Sequence, residues 1–482
     1  MTDLDLAYAS ATEVARRIRD GEVSPVEVVD NALARIDEVH PQLNCFTAVW
    51  AEDARAAARR AADEVAHGRA LGPLHGVPIA LKETTQIAGR PHTSGSLTQE
   101  HDIADRDAYI TRSMSRAGAI VVGTTTSPEF AHTLVTESAL WGTTRNPWDP
   151  SRGPGGSSGG SGAAVSTGCV YLAEGSDMGG SVRIPASWCG IVGLKPGIGR
   201  IPMDVLPGLF DSISHHGPLA RTVDDARLFV AAAQGPDDAD IMSVTAPLDL
   251  SGPTPTSVEG MRFGLSIDLG CWWVDPEIAA AVEGAAAALA DAGAIVEHVD
   301  PGFTPEDEGL WVHLWGVFMA GYYGHLLDEW RDRMAPVVVQ LIELGNSLSA
   351  ADVKRLEIGR THFWNKVRGV LSGRDALLCP TMATRPVPAS LADRNMSLDE
   401  HGAGDGTDGK YHSDEMTAVF NLVAPCPAMS VPCGFHAATD DTADLPIGLQ
   451  IVGRRWREDT VLQVGRAVEL ALPEVRRRRP PI

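Results

Sequence analysis

Apolar residues recur at every third or fourth position after residues 24–27 (SPVE), which form a capping box with proline at the first helical position. This pattern predicts a helix that begins near Pro25. The alanine-rich segment 51–66 predicts a second helix, and residues 109–117 predict a third. The first part of the chain is therefore expected to be rich in helices.

Short apolar runs alternate with these helical segments. Residues 76–81 predict a buried strand with Lys82 at its end, and residues 119–122 predict another strand. Strands that alternate with helices indicate an α/β sheet. The same alternation returns later in the chain, with strands predicted at 261–267 and 294–299 and a helix at 276–292.

Two later segments have more than one interpretation. Trp311, Trp315, Phe318 and Tyr322 form one stripe of a predicted helix over residues 311–323. Such a stripe is typical of a protein core, but it could also form the wall of an apolar substrate pocket. Residues 385–410, which are rich in Gly and Asp, predict a long loop that is either a lid, a binding loop or disordered.

Composition narrows the class of protein. The chain has 482 residues, of which 44% are hydrophobic, and no abrupt change in composition marks a domain boundary. No apolar run is long enough to span a bilayer, and the acidic start of the chain lacks a signal-peptide pattern. Seven cysteines without CxxC spacing are typical of free thiols in a reducing cytoplasm, so we expect a cytoplasmic protein.

The charge balance limits the partners. A net charge of −23 argues against nucleic acids and anionic membranes. The arginine run at residues 476–479 is interpreted as a solvated tail. Arginine supplies most of the 40 positive charges, so a lysine kept inside an apolar stretch, as Lys82 is, suggests a need for an amine that can lose its proton.

Two clusters of glycine and serine carry the candidate chemistry, at residues 155–161 (GGSSGGS) and 175–183 (GSDMGGSVR). A nucleophilic serine needs a proton acceptor, and glycines let backbone N–H groups approach a developing oxyanion. Residues 155–159 match the GxSxG motif, but residues 150–154 before them cannot form a central strand, so this match is interpreted as accidental. The chain has no Ser-x-x-Lys, Walker A or HExxH motif.

The clusters belong to a longer series of motifs, through which the chain resembles the amidase signature family. The resemblance covers nearly the whole chain, and the motifs occur in the family's order. Besides the two clusters, they are residues 76–78 (GVP), 145–150 (RNPWDP), 189–196 (CGIVGLKP), 217–225 (GPLARTVDD), 420–422 (FNL) and 445–453 (LPIGLQIVG).

The resemblance implies an α/β fold: a single α/β/α sandwich over residues 1–482 around a large mixed sheet. Within it, residues 65–230 would form the catalytic core, and residues 300–415 would hold variable insertions around the substrate pocket. It also implies a Ser–cisSer–Lys triad in which Ser181 is the nucleophile, Ser157 the bridging serine on a cis peptide bond and Lys82 the base. No cofactor and no metal are expected.

Around this triad the resemblance implies further roles. The N–H groups of Met178, Gly179, Gly180 and Ser181 would hold the oxyanion. Ser158, Asp177 and Arg183 would support the site without transferring protons. His215 and His216 are interpreted as packing residues rather than metal ligands, and Cys169 and Cys189 as small buried side chains. The chain departs from the family's usual residues at Glu83, at Met178 and at residues 425–427 (PCP).

The implied reaction is hydrolysis of an amide, or of a carbamate or ester, with an apolar or aromatic substituent. Segment 141–148 is similar to nylon-oligomer hydrolases, aryl acylamidases and urethanases of the family. The alternative is the glutaminase subunit of a partner-dependent aminoacyl-tRNA amidotransferase, while the intact triad argues against an inactive binding module. The expected partner is a small-molecule substrate, with a possible homodimer and with neither nucleic acid nor membrane. The expected pocket residues are Trp141, Met203, Leu206, Leu209, Phe210, Trp311 and Trp315.

Overall fold

A computed structural model describes residues 2–390, 409–438 and 443–482. Most of the predicted loop at 385–410 lies outside these residues. The helices are α1 Leu4–Ala7, α2 Ala11–Arg19, α3 Pro25–Leu43, α4 Ala51–Ala66, α5 Tyr109–Arg116, α6 Gly159–Ser166, α7 Arg183–Cys189, α8 Val223–Ala233, α9 Pro276–Asp291, α10 Pro305–Tyr323, α11 Leu327–Trp330, α12 Pro336–Ser347, α13 Ala350–Val370, α14 Glu458–Ala471 and α15 Pro473–Arg477.

The strands are β1 Phe46–Val49, β2 Pro78–Lys82, β3 Ile120–Thr125, β4 Glu137–Ser138, β5 Gly142–Thr143, β6 Leu172–Asp177, β7 Val192–Lys195, β8 His215–Ala220, β9 Arg262–Leu265, β10 Ile295–His298, β11 Ala376–Pro380, β12 Ala428–Phe435 and β13 Pro446–Gly453. Within the described ranges, eleven strands form one mixed sheet in the order β1-β3-β2-β6-β8-β7-β12-β13-β11-β9-β10, and β4 and β5 form a separate hairpin. This large sheet with helices around it confirms the predicted fold class.

Where the local patterns predicted a helix or a strand, the type of the element is correct, but some of the ends differ by a few residues. The capping box at Ser24 and Glu27 is present at the start of α3. Strand β2 begins two residues later than predicted and includes Lys82. Gly76 has a φ of 76°, which turns the chain before the strand can start. Lys82 is then held in the sheet by pairing with Thr125 of the parallel strand β3.

Alternation along β2 separates two hydrophobic layers. Ile79 and Leu81 face the layer that includes α2, α8, α9 and α14, whereas Ala80 faces the layer of α3, α4 and α6. A third cluster joins α10, α12 and α13 to the far end of the sheet. Trp311 and Trp315 of α10 belong to this third cluster, so the aromatic stripe is in part a core stripe, as one of its two interpretations predicted.

Candidate active site

Strands β2 and β6 place the first site residues. They are parallel neighbours, so their carboxyl ends lie at the same edge of the sheet, where β2 ends at Lys82 and β6 at Ser176 and Asp177. The chain before α6 brings Ser157 to this edge, and the Gly156–Ser157 peptide bond is cis. Lys82 Nζ lies 2.6 Å from Ser157 Oγ and 3.0 Å from Ser176 Oγ.

Lys82 is completely buried, and this burial controls its protonation. Desolvation lowers the pKa of Lys82 to about 8, although the negative charges of Glu174, Glu83 and Asp177 act in the opposite direction. An amine with this pKa is present in both protonation states near neutral pH. It can therefore exchange a proton with the serine hydroxyl beside it.

Glu174 of β6 is also completely buried, and it binds the backbone at Lys82. Its carboxylate accepts hydrogen bonds from the Lys82 backbone N–H at 3.0 Å, from Thr85 Oγ1 at 3.0 Å and from His216 Nδ1 at 2.8 Å. Burial alone would raise the pKa of Glu174, but His216 and Lys82 hold it below the usual value. His216 thus packs against a carboxylate.

Asp177 and Arg183 form a buried ion pair beneath the loop that carries Ser181. Arg183 Nη2 and Nε lie 2.9 and 3.0 Å from the two carboxylate oxygens of Asp177, and both side chains are fully buried. The guanidinium also binds Asn421 Oδ1 at 2.6 Å and Gln450 Oε1 at 2.7 Å. Although burial opposes the charge on Asp177, Arg183 lowers the pKa of that carboxyl far below its usual value.

The peptide groups of this loop are held in defined orientations. Trp311 Nε1 donates to the Met178 carbonyl at 2.8 Å, and Thr417 Oγ1 donates to the Gly179 carbonyl at 2.7 Å. Because C=O and N–H point in opposite directions across a trans peptide bond, the Gly179 N–H points away from Trp311.

The Gly180 N–H differs from its neighbours. It donates to Asp177 Oδ1 at 2.9 Å, so it is engaged in the ion-pair network rather than free to face an oxyanion. This differs from the expectation that four consecutive N–H groups face the oxyanion. The N–H groups of Met178, Gly179 and Ser181 donate to no atom of the described residues. Ser158 supports the loop, because its N–H donates to the Ser181 carbonyl at 3.2 Å.

Ser181 lies where two cavities meet. The larger, of about 330 Å³, also contains Ser157 and Ser176. Its apolar and aromatic walls include Phe130, Met203, Leu206, Trp315, Phe318 and Tyr323. The smaller, of about 50 Å³, is lined by Ser181, Met178, Gly179 and residues of α10 that include Trp311 and Trp315.

Three residues expected in the pocket lie elsewhere. Trp141 lines neither cavity, because its indole N–H donates to the buried carboxylate of Glu83 at 2.9 Å. Leu209 and Phe210 are also outside both linings, and their side chains face solvent with 39% and 83% of their surface exposed. Their neighbour Leu206 does line the larger cavity. Apolar character alone did not distinguish inward from outward positions in this loop.

Several residues of the site carry no local signal in the sequence. Glu174 and Thr417 contact the lysine or the loop, but neither lies in a spacing that predicts chemistry. Ser176, which contacts Lys82, lies in the cluster at residues 175–183, but the spacing did not single it out. Asn421 and Gln450 lie within matched motifs, which was the one signal that could have identified them. Cys169 and Cys189 are buried as expected.

The chain is similar to known proteins over nearly its whole length. The family described as Amidase matches residues 27–462. An acylamidase of Rhodococcus erythropolis is 34% identical over 483 residues, covering 98% of this chain and 97% of the relative. The chain belongs to the amidase signature family.

Other members of the amidase signature family are also similar. A bacterial aryl acylamidase of known structure superimposes with a TM-score of 0.89 at 28% identity, covering 98% of this chain and 99% of the other. The A subunit of the glutamyl-tRNA(Gln) amidotransferase from a Cyanothece strain is 33% identical over 491 residues, covering 96% and 98% of the two chains. The family and the acylamidase relatives support an enzyme that hydrolyses amides. None of the helices in the described residues could cross a membrane.

Removing one half of the buried ion pair should destabilise this amidase signature fold. Asp177→Asn leaves the Arg183 guanidinium buried without its counter-charge, which typically costs about 3–5 kcal/mol of unfolding free energy. Urea denaturation would measure the loss. The same substitution at Asp20, whose ion pair with Arg16 is exposed, should leave the midpoint nearly unchanged. Equal effects of the two substitutions would contradict the structural role of the pair.

Proposed function

We propose that this enzyme is a serine amidase for amides with an apolar or aromatic substituent, in which Ser181 is the nucleophile, Ser157 the proton relay and Lys82 the base. The observation that carries the proposal is the 2.6 Å separation of Lys82 Nζ and Ser157 Oγ, because Ser157 also lines the larger cavity together with Ser181. The aromatic part of that cavity's wall suits an apolar or aromatic group.

The first half of the proposed reaction forms an acyl-enzyme. Neutral Lys82 accepts the proton of Ser157 while Ser157 Oγ accepts the proton of Ser181, and Ser181 Oγ bonds to the carbonyl carbon. The electron pair of the C=O bond moves to oxygen. The N–H groups of Met178, Gly179 and Ser181 stabilise this oxyanion.

The second half releases both products. As the oxyanion re-forms the C=O bond and the C–N bond breaks, the leaving nitrogen takes the proton of Ser157, which is replaced by a proton from Lys82. Water then attacks the acyl carbon and gives a proton to the same relay. The Ser181 Oγ–acyl bond breaks with return of a proton to Ser181, and the carboxylic acid leaves.

A second candidate function is that of a glutaminase-type subunit, because the relatives include a glutamyl-tRNA(Gln) amidotransferase component of similar length. That activity would require glutamine and a partner protein. The apolar wall of the larger cavity favours the free-standing amidase. Carbamates and esters are further candidate substrates of the same acyl-transfer chemistry.

A substrate panel tests the two candidates. The isolated enzyme should release p-nitroaniline from an acyl p-nitroanilide, and Ser181→Ala should abolish this release. Benzamide and an aryl carbamate in the same panel would rank primary amides and carbamates against anilides. The proposal would be contradicted by turnover of glutamine alone, or by a Ser181→Ala enzyme that keeps its activity.

The pH dependence tests the role of Lys82. Only the neutral amine accepts a proton, so kcat/KM should rise about tenfold per pH unit at low pH and level off above about pH 8, where burial places the pKa of Lys82. Lys82→Arg cannot lose its proton and should be inactive at every pH. A profile for the wild-type enzyme that is flat through pH 8 would exclude Lys82 as the titrating base.

Trp311→Phe tests whether the orientation of the Gly179 peptide matters. The variant loses the donor that holds the Met178 carbonyl, so kcat should fall about tenfold, less than the 10²–10³ typical when an oxyanion donor itself is removed. The matched variant Trp315→Phe alters the cavity walls but keeps that hydrogen bond, so it should change KM more than kcat. The reverse pattern would show that Trp311 only fills space.

A further inference from the structure

The smaller cavity beside Ser181 contains a carboxyl group that the proposed reaction does not use. Glu308 lines this cavity together with Trp311 and Trp315. These residues are three and seven positions apart on α10, so they share one face of the helix. The nucleophile and Glu308 therefore face one space of about 50 Å³.

Glu308 is buried without full hydrogen bonding. Its side chain is 2% exposed, and Oε2 has no hydrogen-bond partner among the described residues. The other oxygen, Oε1, lies 3.4 Å from the hydroxyl of Ser413. A buried polar atom without a partner is costly unless a ligand or water satisfies it.

A second carboxyl group close to Glu308 also forms no ion pair with a described cationic side chain. Glu415 also lines the smaller cavity, where it accepts hydrogen bonds from the N–H and hydroxyl of Thr417 and from the Ala418 N–H at 2.9 Å. None of the described lysine, arginine or histidine side chains forms an ion pair with Glu308 or Glu415. Burial and the charge of Glu415 hold the pKa of Glu308 well above its usual range. Hydrogen bonds with Tyr411 and Ser413 act in the opposite direction, and the charge of Asp414 adds to the increase.

We propose that the smaller cavity is a subsite for an amino group on the acyl part of the substrate, with the carboxyl group of Glu308 as its hydrogen-bond acceptor. The inference rests on the proposed function, because it takes Ser181 as the nucleophile. Of these two cavities, only the larger has room for an aryl amine. Both cavities include Ser181, which attacks the carbon between the amine and acyl parts, so the acyl part enters the smaller cavity. Since its raised pKa keeps Glu308 protonated before a substrate binds, an ammonium group placed in the cavity favours the ionised carboxylate and supplies its donor and its counter-charge.

The size of the subsite limits the acyl chain. A volume of about 50 Å³ has room for a few water-sized groups and not for a ring. The expected substrates are therefore anilides of short amino acids whose amine is separated from the carbonyl by a few carbons. An apolar acyl chain of equal length fits the space but offers the Glu308 carboxyl group no hydrogen-bond donor.

Two p-nitroanilides of equal size test the inference, one of β-alanine and one of butyric acid. The wild-type enzyme should prefer the β-alanine anilide in kcat/KM. Glu308→Gln keeps the shape of the side chain and removes its charge, so this preference should fall about tenfold or more, as for loss of a hydrogen bond to a charged group. Hydrolysis of the butyric anilide should stay within about threefold of wild type, which also shows that the variant is folded.

Glu306→Gln is the matched control, because Glu306 lies on the same helix and is exposed. It should keep the wild-type preference. An anilide of 3-hydroxypropionic acid separates charge from hydrogen bonding, because its hydroxyl group is a donor without a charge. If the enzyme prefers this anilide as strongly as the β-alanine anilide, the subsite accepts any hydrogen-bond donor. That result would overturn the proposal of an amine subsite.

The outcomes distinguish the two proposals. An enzyme that hydrolyses the butyric anilide but shows no preference for the amine, or shows one that Glu308→Gln leaves unchanged, overturns the subsite and leaves the serine amidase intact. Hydrolysis of other aryl amides with neither of the two short anilides also overturns the subsite. Inactivity on every aryl amide overturns the proposed function itself.

Discussion

The buried ion pair between Asp177 and Arg183 is the interaction on which the site depends. Two opposite charges inside a low-dielectric core must keep their geometry, because separating them would leave each charge without compensation. Arg183 also reaches Asn421 and Gln450, and Asp177 also binds the Gly180 N–H. One pair of side chains therefore connects the serine loop to two distant parts of the chain and orients the peptides that lie between them.

A second constraint acts on Lys82. Removal from water favours the neutral amine, whereas nearby carboxylates favour the ammonium form. The balance leaves the pKa near 8, which suits a base that must both accept and return a proton. Glu174 contributes to this balance in two ways: it raises the pKa through its charge, and it fixes the strand end through the Lys82 N–H. The same carboxylate therefore affects both the pKa of Lys82 and the position of its backbone.

Helix α10, which lies outside the matched motifs, completes the site that the motif-bearing segments begin. Helix α10 supplies Trp311, which orients the peptide of Met178, and also lines both cavities around Ser181. If the acyl subsite is as proposed, Glu308 on the same helix face selects the substrate that the serine attacks. The sheet edge would then carry out the chemistry, and α10 would determine the substrate specificity. A substitution in α10 could therefore change the specificity without moving Lys82 or Ser157.

The sequence by itself determined the fold class, the capped helix at Pro25, the strand that ends at Lys82 and the family, because these depend on local spacing and on motifs that are continuous in the chain. It singled out Lys82 and Ser157, which the structure brings to hydrogen-bond distance. Only the tertiary structure decided that Trp141 binds Glu83 rather than a substrate, that Phe210 faces solvent, and that the Gly180 N–H is engaged by Asp177. Residues far away in the chain determine which way a loop side chain points and which group a buried polar atom binds. Local periodicity and spacing do not predict such contacts.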